Sequence, residues 1–329
     1  MSGNINADFF QHFNSSGVDK GRFRPCGKRR NLIAEKMIDD IKTISIKDKT
    51  YPKLLREIKG APKVIYYKGE ILAEENCFAI VGTRMYSTYG KQVALEIAGD
   101  LAEAGLIIVS GLAPGIDTFA HQAVVERKKR TIAVLGTGVD EKSIYPQSNL
   151  KLAEKILATG GALISEYPPG TPGSRFSFPN RNRIISGLSL GVLVIEAKQK
   201  SGALITAEWA KKQSRKVFAI PGLIHSSNSK GPHYLIKNGA KLVENANDIL
   251  TKLSSVRELK FPSQSKIIIG ETEEENSILN ALKEEILYID QIIEKTKLPA
   301  SKVAGILAIL EIKGKVKNLG GNTYAISNC

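Results

Sequence analysis

The sequence predicts an α/β protein: a Rossmann-like, doubly wound and mostly parallel sheet followed by a small C-terminal winged-helix domain. Three observations predict this fold. Six short apolar runs each end at or near a glycine turn, and segments of helical length separate most of them. Beyond residue 276 the pattern changes to three short amphipathic helices and a β-hairpin around Gly320 and Gly321. Three helices with a small hairpin are typical of a winged helix.

The six apolar runs are predicted to be parallel strands, because continuous apolar runs are typical of strands covered by helices on both faces. Ligands of such sheets bind at the carboxyl ends of the strands, where these glycine turns fall. The predicted strands are 78–81, 106–111, 131–136, 162–166, 191–197 and 216–222, and the clearest intervening helices are 89–103, 149–158 and 203–213.

Composition sets the predicted domain boundaries. Residues 1–45 are poor in large apolar residues and include the basic stretch GRFRPCGKRR, which predicts a flexible basic N-terminal extension. Residues 46–253 are the predicted Rossmann-like domain. Residues 254–276 are polar and mixed, as in a linker, and residues 277–329 are the predicted winged-helix domain.

The charge distribution favours a polyanionic partner for the Rossmann-like domain. The chain of 329 residues has a formal net charge of +14. Residues 61–269 hold 27 Lys and Arg against 17 Asp and Glu, whereas residues 270–329 hold seven against nine. A basic surface attracts polyanions such as nucleic acid, although solubility is a competing explanation.

Several classes of protein are disfavoured by the sequence. No run approaches the ~18 apolar residues of a membrane span and the start is unlike a signal peptide, so we expect no membrane insertion and a cytoplasmic location. Three cysteines are too few for a disulfide framework. The four histidines lack metal-ligand spacing, which predicts neither a metal site nor a cofactor.

Glycine turns and cations come together at the predicted ligand edge of the sheet. Gly82 and the pair Ser110–Gly111 end strands and open helices, where backbone amides bind anions. Neither turn is a Walker A loop or a dinucleotide fingerprint, and any one glycine could simply be a turn residue. Arg84 directly follows a strand and a glycine, so its side chain is expected to project over the ligand edge, as is that of Lys198.

The segment EYPPGTPGSRFSFPNRNRIISGLS is the other candidate site. Asn180 is predicted to be the N-cap of a helix beginning at Arg181. Arg181 and Arg183 would then lie in the first turn, where the helix dipole disfavours cations by a few tenths of a kcal/mol. Arginines in that position indicate a phosphate-bearing ligand.

Aromatic residues precede these arginines, and they permit two interpretations. Phe176 and Phe178 could stack on nucleic-acid bases, or they could pin the loop to the core. We include Phe176 in the predicted binding site.

Acidic residues at strand ends leave a catalytic alternative open. Glu166 and Glu196 could form the carboxylate pair of a hydrolase. Helix capping and ion pairing with Arg181 or Arg183 is the better interpretation of these two carboxylates.

These motifs resemble the DNA-processing protein A (DprA/Smf) family of bacteria, in order, over about 150 residues. The matching stretches are VGTR with YG (81–90), SGLAPGID (110–117), AVLGTGVD with YPQSN (133–149), SEYPPG (165–170), FPNRNRIISGLS (178–189), IEAKQKSGALITAEWA (195–210) and VFAIPG (217–222).

The resemblance implies a protein that is not an enzyme but a single-stranded DNA-binding recombination mediator. Family members protect incoming strands and load RecA during natural transformation, help displace single-strand-binding protein, and form homodimers through the Rossmann domain. Carried over by motif position, the DNA site comprises Arg84, Ser110, Gly111, Arg181, Asn182, Arg183, Lys198, Gly202 and Ala203. Arg84→Ala and Arg181→Ala are each expected to weaken binding without unfolding the protein.

Two other functions remain open at this point. SGALITAE (201–208) loosely echoes the PGGxGT loop of nucleoside-monophosphate phosphoribohydrolases, which pair an arginine with a glutamate. A transcription factor that reads DNA with its winged helix is the third interpretation. The negative balance of residues 270–329 argues against it, because duplex binding requires several phosphate-neutralising cations.

Overall fold

The computed structural model describes residues 41–253, 269–283 and 285–326. Residues 1–40 of the predicted N-terminal extension and residues 254–268 of the predicted linker lie outside the described residues. Within the described part, the chain forms a Rossmann-like domain and a winged helix, so the predicted fold class is confirmed.

One nine-stranded sheet organises the Rossmann-like domain, in the order β1-β2-β6-β5-β4-β3-β7-β8-β9. The strands β3 to β9 are parallel, whereas β1 and β2 are antiparallel to their neighbours. The strands are β1 (Lys42–Ser45), β2 (Val64–Gly69), β3 (Cys77–Val81), β4 (Ile107–Ser110), β5 (Thr131–Leu135), β6 (Ala162–Ser165), β7 (Gly191–Val194), β8 (Lys216–Ala219) and β9 (Lys241–Leu242).

Helices cover both faces of this sheet, which explains the continuous apolar strands. Every residue of β3, β5 and β7 is buried. The helices are α1 (Lys53–Arg56), α2 (Thr88–Glu103), α3 (Ile116–Glu126), α4 (Leu150–Ala158), α5 (Ser177–Leu188), α6 (Gly202–Lys212), α7 (Lys230–Lys237) and α8 (Ala246–Lys252).

The strand order creates a switch point between β3 and β7. From β3 the chain builds outward through β4, β5 and β6, and then α5 carries it back so that β7 pairs with the other side of β3. Ligands of open α/β sheets bind in the crevice at such a point. The loops that leave β3 and β7 therefore lie side by side, and the Thr83 amide donates to the Glu196 carbonyl at 2.7 Å.

The C-terminal residues fold around their own apolar core, which includes Ile278, Leu307 and Val316. Three helices and a three-stranded sheet in the order β10-β12-β11 make the winged helix. These elements are α9 (Glu273–Leu282), β10 (Leu287–Tyr288), α10 (Ile289–Thr296), α11 (Ala300–Ile312), β11 (Val316–Gly320) and β12 (Thr323–Ile326).

Two of the three predicted domain boundaries differ from those of the structure. Residues 42–45, assigned to the extension, form β1 and pair with β2, so they belong to the sheet. Ile44 is the one buried residue of β1, which makes its apolar pattern too weak to identify as a strand. Residues 273–276, assigned to the linker, form the first turn of α9, which the Thr272 side chain caps through the Glu275 amide.

No helix in the described residues is both long and apolar enough to span a bilayer.

Candidate functional site

An open cleft of about 350 Å³ lies at the switch point. It is bounded by the loop after β3, by one face of α5, and by the loop and helix start after β7. The lining residues include Gly82, Thr83, Arg84, Met85, Asp117, Phe178, Arg181, Asn182, Ile185, Lys198, Lys200, Ser201, Gly202 and Ala203. Seven of the predicted site residues therefore lie together in the cleft: Gly82, Arg84, Arg181, Asn182, Lys198, Gly202 and Ala203.

Helix α5 begins four residues earlier than predicted. The Ser174 hydroxyl accepts from the Ser177 amide at 3.0 Å, and the Ser177 hydroxyl accepts from the Ser174 amide at 2.9 Å. Pro179 fits in the first turn because amides there have no intrahelical partner. Asn180 is therefore not the N-cap, and Arg181 lies beyond the first turn. The predicted helix start is therefore wrong, and Arg181 is not in the first turn where the helix dipole would repel it.

Arg181 is a buried arginine, only 4% exposed. Its Nη1 donates to the Gly111 carbonyl at 2.7 Å and also to the Val134 carbonyl, while Nε donates to Asn182 Oδ1 at 3.1 Å. Burial lowers the pKa of Arg181 to about 10, and the negative charge of Asp117 offsets part of that effect. Arg181 is thus a fixed cation in the floor of the cleft.

Asp117 is the carboxylate of the cleft, and it is buried. The Gly111 amide donates to its Oδ2 at 3.1 Å. Burial raises the pKa of Asp117, while the nearby Arg181 guanidinium lowers it. Asp117 therefore acts as the internal counter-charge of Arg181 and leaves the exposed cations uncompensated.

The glycines of the two turns are there for close packing. A methyl group at Gly111 would overlap the guanidinium of Arg181, and one at Gly82 would lie within 2.9 Å of the Ile116 side chain. The Ser110 hydroxyl is fully buried and donates to the Ile80 carbonyl at 2.6 Å. Neither Ser110 nor Gly111 lines the cleft, and Gly111 supports Arg181 through its carbonyl and through the space that it leaves for the guanidinium.

Three exposed cations rim the cleft: Arg84, Lys198 and Lys200. Across the described ranges, none of the three forms an ion pair with a carboxylate. The guanidinium of Arg84 lies 5.9 Å from the ring centroid of Phe178. These charges are therefore available to an anionic ligand.

The N-terminus of α6 forms the wall opposite α5. Ser201 caps this helix, because its hydroxyl accepts from the Ala203 amide at 3.3 Å. Asn182 Nδ2 donates to the Gly202 carbonyl at 3.1 Å and so ties the two helices together. The amides at a helix start favour anions.

Arg183 points away from the cleft. Its Nη2 donates to both carboxylate oxygens of Glu166, at 2.6 and 2.7 Å. The expected ion pairing of Glu166 is therefore confirmed. Glu196 has other partners, because its carboxylate accepts from the Ser87 hydroxyl at 2.6 Å and from the Ser87 amide at 2.9 Å.

The two phenylalanines have different environments. Phe178 lines the cleft and packs beside Tyr145, with ring centroids 5.6 Å apart. Phe176 is 65% exposed, lies under the Arg175 guanidinium at 4.8 Å, and is not part of the cleft lining. Phe178 thus packs against Tyr145 and lines the cleft, whereas the sequence predicts Phe176 as the aromatic residue of the site.

The family model "DNA recombination-mediator protein A" matches residues 42–254, and the model "DprA winged helix domain" matches residues 264–322. The chain belongs to the DNA recombination-mediator protein A (DprA/Smf) family. Membership gives it a role in DNA processing.

Two curated DprA/Smf relatives show the extent of the likeness. The chain is 45% identical to the Bacillus subtilis DNA processing protein DprA over 69% of this chain and 76% of that protein. It is 38% identical to Escherichia coli Smf over 82% of this chain and 74% of that protein.

Two solved DprA structures share its fold. The Streptococcus pneumoniae protein superposes with a TM-score of 0.60 at 41% identity, covering 70% of this chain and 79% of that one. The Helicobacter pylori protein, described for its single-stranded DNA binding mode, gives a TM-score of 0.58 at 31% identity and covers 65% and 96%.

The predicted site left out several residues that line the DprA cleft, among them Thr83, Met85, Ile185, Lys200 and Ser201. Ser201 carried a usable signal, because a serine before a helical run predicts an N-cap. Lys200 belongs to the same loop as Lys198, so the spacing between a strand end and a helix start could have indicated both.

The DprA winged helix presents a different surface. Lys302 pairs with Glu274 at 2.6 Å, and Lys313 pairs with Glu271 at 2.8 Å and Glu275 at 2.9 Å. The cations of α11 therefore have carboxylate partners within their own domain.

Proposed function

We propose that the cleft binds single-stranded DNA and that the protein is a non-enzymatic recombination mediator. It would protect incoming single strands and load RecA onto them during natural transformation. One observation carries the proposal: exposed Arg84, Lys198 and Lys200 surround a fixed Arg181, while the carboxylate of the cleft is buried as its counter-charge. A cationic cleft without exposed carboxylates fits a phosphate backbone.

Single-stranded DNA fits better than duplex because the cleft offers an aromatic ring as well as cations. Phe178 lies beside Arg84 in the lining, and bases reach such a ring only when they are unpaired. The single-stranded DNA binding described for the Helicobacter pylori relative supports the same choice.

The proposal extends to partners. RecA would receive the strand, single-strand-binding protein would be displaced from it, and a homodimer through the Rossmann-like domain would hold two clefts. These partners act in the cytoplasm, where we place the protein. Membership of a family described as recombination mediators supports these partners.

Binding is tested by fluorescence anisotropy with labelled oligo-dT, titrated at several salt concentrations. Each phosphate contact is expected to contribute about −0.7 to the slope of log K against log salt. A duplex of equal length should compete more weakly than the single strand. Salt-insensitive binding or a preference for duplex would contradict the proposal.

Loading is tested separately from binding. RecA ATPase activity on single strands coated with single-strand-binding protein should start earlier when the protein is added. If the lag before RecA ATPase activity is unchanged while oligo-dT binding is normal, the protein binds single strands but is not a mediator.

The phosphoribohydrolase alternative has weaker support in the cleft. That chemistry needs a glutamate beside an arginine, and here Glu196 is held by Ser87 while Glu208 is exposed in the neighbouring groove. Incubation with AMP should release no adenine. Adenine formation that Arg84→Ala abolishes would restore the enzymatic interpretation.

A further inference from the structure

Five large apolar side chains are exposed together beside the cleft, on a surface that we call the aromatic shelf: Met85, Tyr86, Tyr89, Leu223 and Ile224. The shelf joins the start of α2 to the loop after β8. Tyr89 donates its hydroxyl to the Pro221 carbonyl at 2.9 Å, and Asn228 Nδ2 donates to the Met85 carbonyl at 2.9 Å. Contiguous exposed apolar groups mark binding surfaces, whereas isolated ones do not.

The shelf is continuous with the cleft. Arg84 and Met85 line the cleft, and Tyr86 is the next residue. Two Cα–Cα steps place the Tyr86 Cα at most about 7.6 Å from that of Arg84. A strand that leaves the cleft past Arg84 and Met85 therefore passes near Tyr86.

Tyr86 is held in position before any ligand arrives. Its ring packs edge-on against the buried Phe119, with centroids 4.6 Å apart and planes at 85°. The preceding residue is also fixed, because the Met85 amide donates to Thr83 Oγ1 at 3.1 Å. The Tyr86 side chain nevertheless remains 47% exposed, so a surface of the ring is accessible to a planar ligand.

The charges around the shelf favour a polyanion over a protein partner. Lys91 Nζ lies 5.3 Å from the centroid of the same Phe119 ring, and Lys230 Nζ donates to the Ile224 carbonyl at 2.9 Å. Neither lysine has a carboxylate partner among the described residues. Two carboxylates lie near the shelf. Glu196 is buried and accepts from the Ser87 hydroxyl at 2.6 Å, and burial, with Glu196 and Glu96, raises the pKa of Tyr89.

We propose that Tyr86 stacks on a base of the DNA strand that leaves the cleft past Arg84, which makes the shelf a second base-binding subsite. This inference rests on the proposed single-stranded DNA function. The shelf extends the binding site beyond the cleft and adds an aromatic ring between cations. Proteins that bind single strands without sequence preference use the same combination.

The test compares two lengths of oligo-dT on the full-length protein. An oligonucleotide of about 4 nucleotides occupies the cleft alone, and one of about 16 nucleotides also covers the shelf. Tyr86→Ala should weaken binding of the longer oligonucleotide about tenfold and leave the shorter one unchanged. Tyr86→Phe retains the ring and should bind like the original protein.

Two controls separate stacking from other effects. Leu72→Ala removes an exposed apolar side chain outside the cleft lining and should not change either affinity. A long oligonucleotide with abasic positions at one end has lost the base that Tyr86 would contact. If the abasic positions lie on the shelf, Tyr86→Ala should not reduce the affinity further. The end of the oligonucleotide at which this happens is the end of the strand that lies on the shelf.

The outcomes are distinguishable from failure of the proposed function. If neither oligonucleotide binds the original protein, single-stranded DNA binding itself is wrong. If both bind and Tyr86→Ala weakens neither, only the subsite is wrong, and the shelf is then a surface for a protein partner. Equal weakening of both lengths would also overturn the subsite, because it indicates disturbance of the cleft.

Discussion

The cleft and the winged helix both carry lysine or arginine at helix ends and loops, but their charges are arranged in opposite ways. In the cleft, Arg84 and Lys198 are exposed without a carboxylate partner in the described residues. In the winged helix, Lys302 and Lys313 each pair with glutamates of α9. The number of lysines and arginines therefore indicates DNA binding less well than the position of the carboxylates that neutralise them.

The exposed face of the third helix of the winged helix strengthens this contrast. Ile309 is 48% exposed and Ile312 is 87% exposed, on the helix that reads DNA in other winged-helix proteins. An apolar face with neutralised lysines is suited to a protein surface. The winged-helix transcription factor that the sequence left open is thus the less favoured interpretation.

The largest effect that follows from this comparison is at Arg181. Arg181→Ala leaves the buried carbonyls of Gly111 and Val134 without their donor and leaves Asp117 without its counter-charge. We expect the free energy of unfolding to fall by about 3 kcal/mol and DNA binding to be lost. This corrects the expectation that Arg181→Ala would leave the fold unaffected.

Chemical denaturation followed by far-UV circular dichroism measures that loss. Double replacement, Arg181→Met with Asp117→Asn, removes both charges together and should recover part of the stability without recovering binding. Original stability in Arg181→Ala would show that the arginine has no structural role.

A smaller effect is expected at Gly111, which never touches the ligand in our description. In Gly111→Ala the added methyl group overlaps the guanidinium of Arg181 and should displace it. We expect oligo-dT affinity to fall about tenfold with a modest loss of stability. Anisotropy at low salt measures the change, and Gly305→Ala is a control at a glycine that has open space around it and no left-handed backbone.

The sharpest comparison is a matched pair of exposed cations. Arg84→Ala should weaken oligo-dT binding about fivefold at low salt and reduce the salt slope by about 0.7, because one phosphate contact is lost. Lys302→Ala should change neither, since Glu274 already neutralises that lysine. Both changes are on the surface and should alter stability by no more than about 0.5 kcal/mol. Equal effects at the two positions would contradict the comparison.

The fold was predictable because its signals are local. Continuous apolar strands, glycine turns and amphipathic helices all lie within short windows, and β3 to β8 were all identified from them. The antiparallel β1 was not, because it buries a single residue and is stabilised by its pairing with β2. Such an edge strand is defined by tertiary contact, which periodicity does not reveal.

Site residues could be predicted where their position in the chain alone determines which edge of the sheet they reach. Arg84 and Lys198 follow strands directly, so both reach the carboxyl edge. Along α5, each residue turns the helix by about 100°, so Arg181, Asn182 and Ile185 share the cleft face while Arg183 lies on the other side. This division of faces is the same wherever the helix begins, and it was missed because both arginines were assigned to the ligand edge without regard to the helical rotation.

The last prediction uses pH to separate the two regions. Hydrogen bonds from Lys313 hold the pKa values of Glu271 and Glu275 below the ordinary value of 4.5. Their contribution to stability is therefore complete above that value and is lost as pH falls through the lowered pKa values. Asp117 in the Rossmann-like domain has the opposite sign: burial raises its pKa, so protonation as pH falls favours the folded state.

Acidification from about pH 6 to about pH 3 should therefore destabilise the winged helix, because these two glutamates become protonated. In the Rossmann-like domain, protonation of Asp117 favours the folded state and so reduces the loss of stability. Calorimetry would resolve the two domains if they unfold separately, and Lys313→Met identifies the winged-helix transition. That variant lacks the cation that lowers both pKa values, so its winged-helix transition should depend less on pH over this range. An identical acid limb in the variant would show that the lysine does not set those pKa values, and the contrast in paired charge between the two regions would lose its basis.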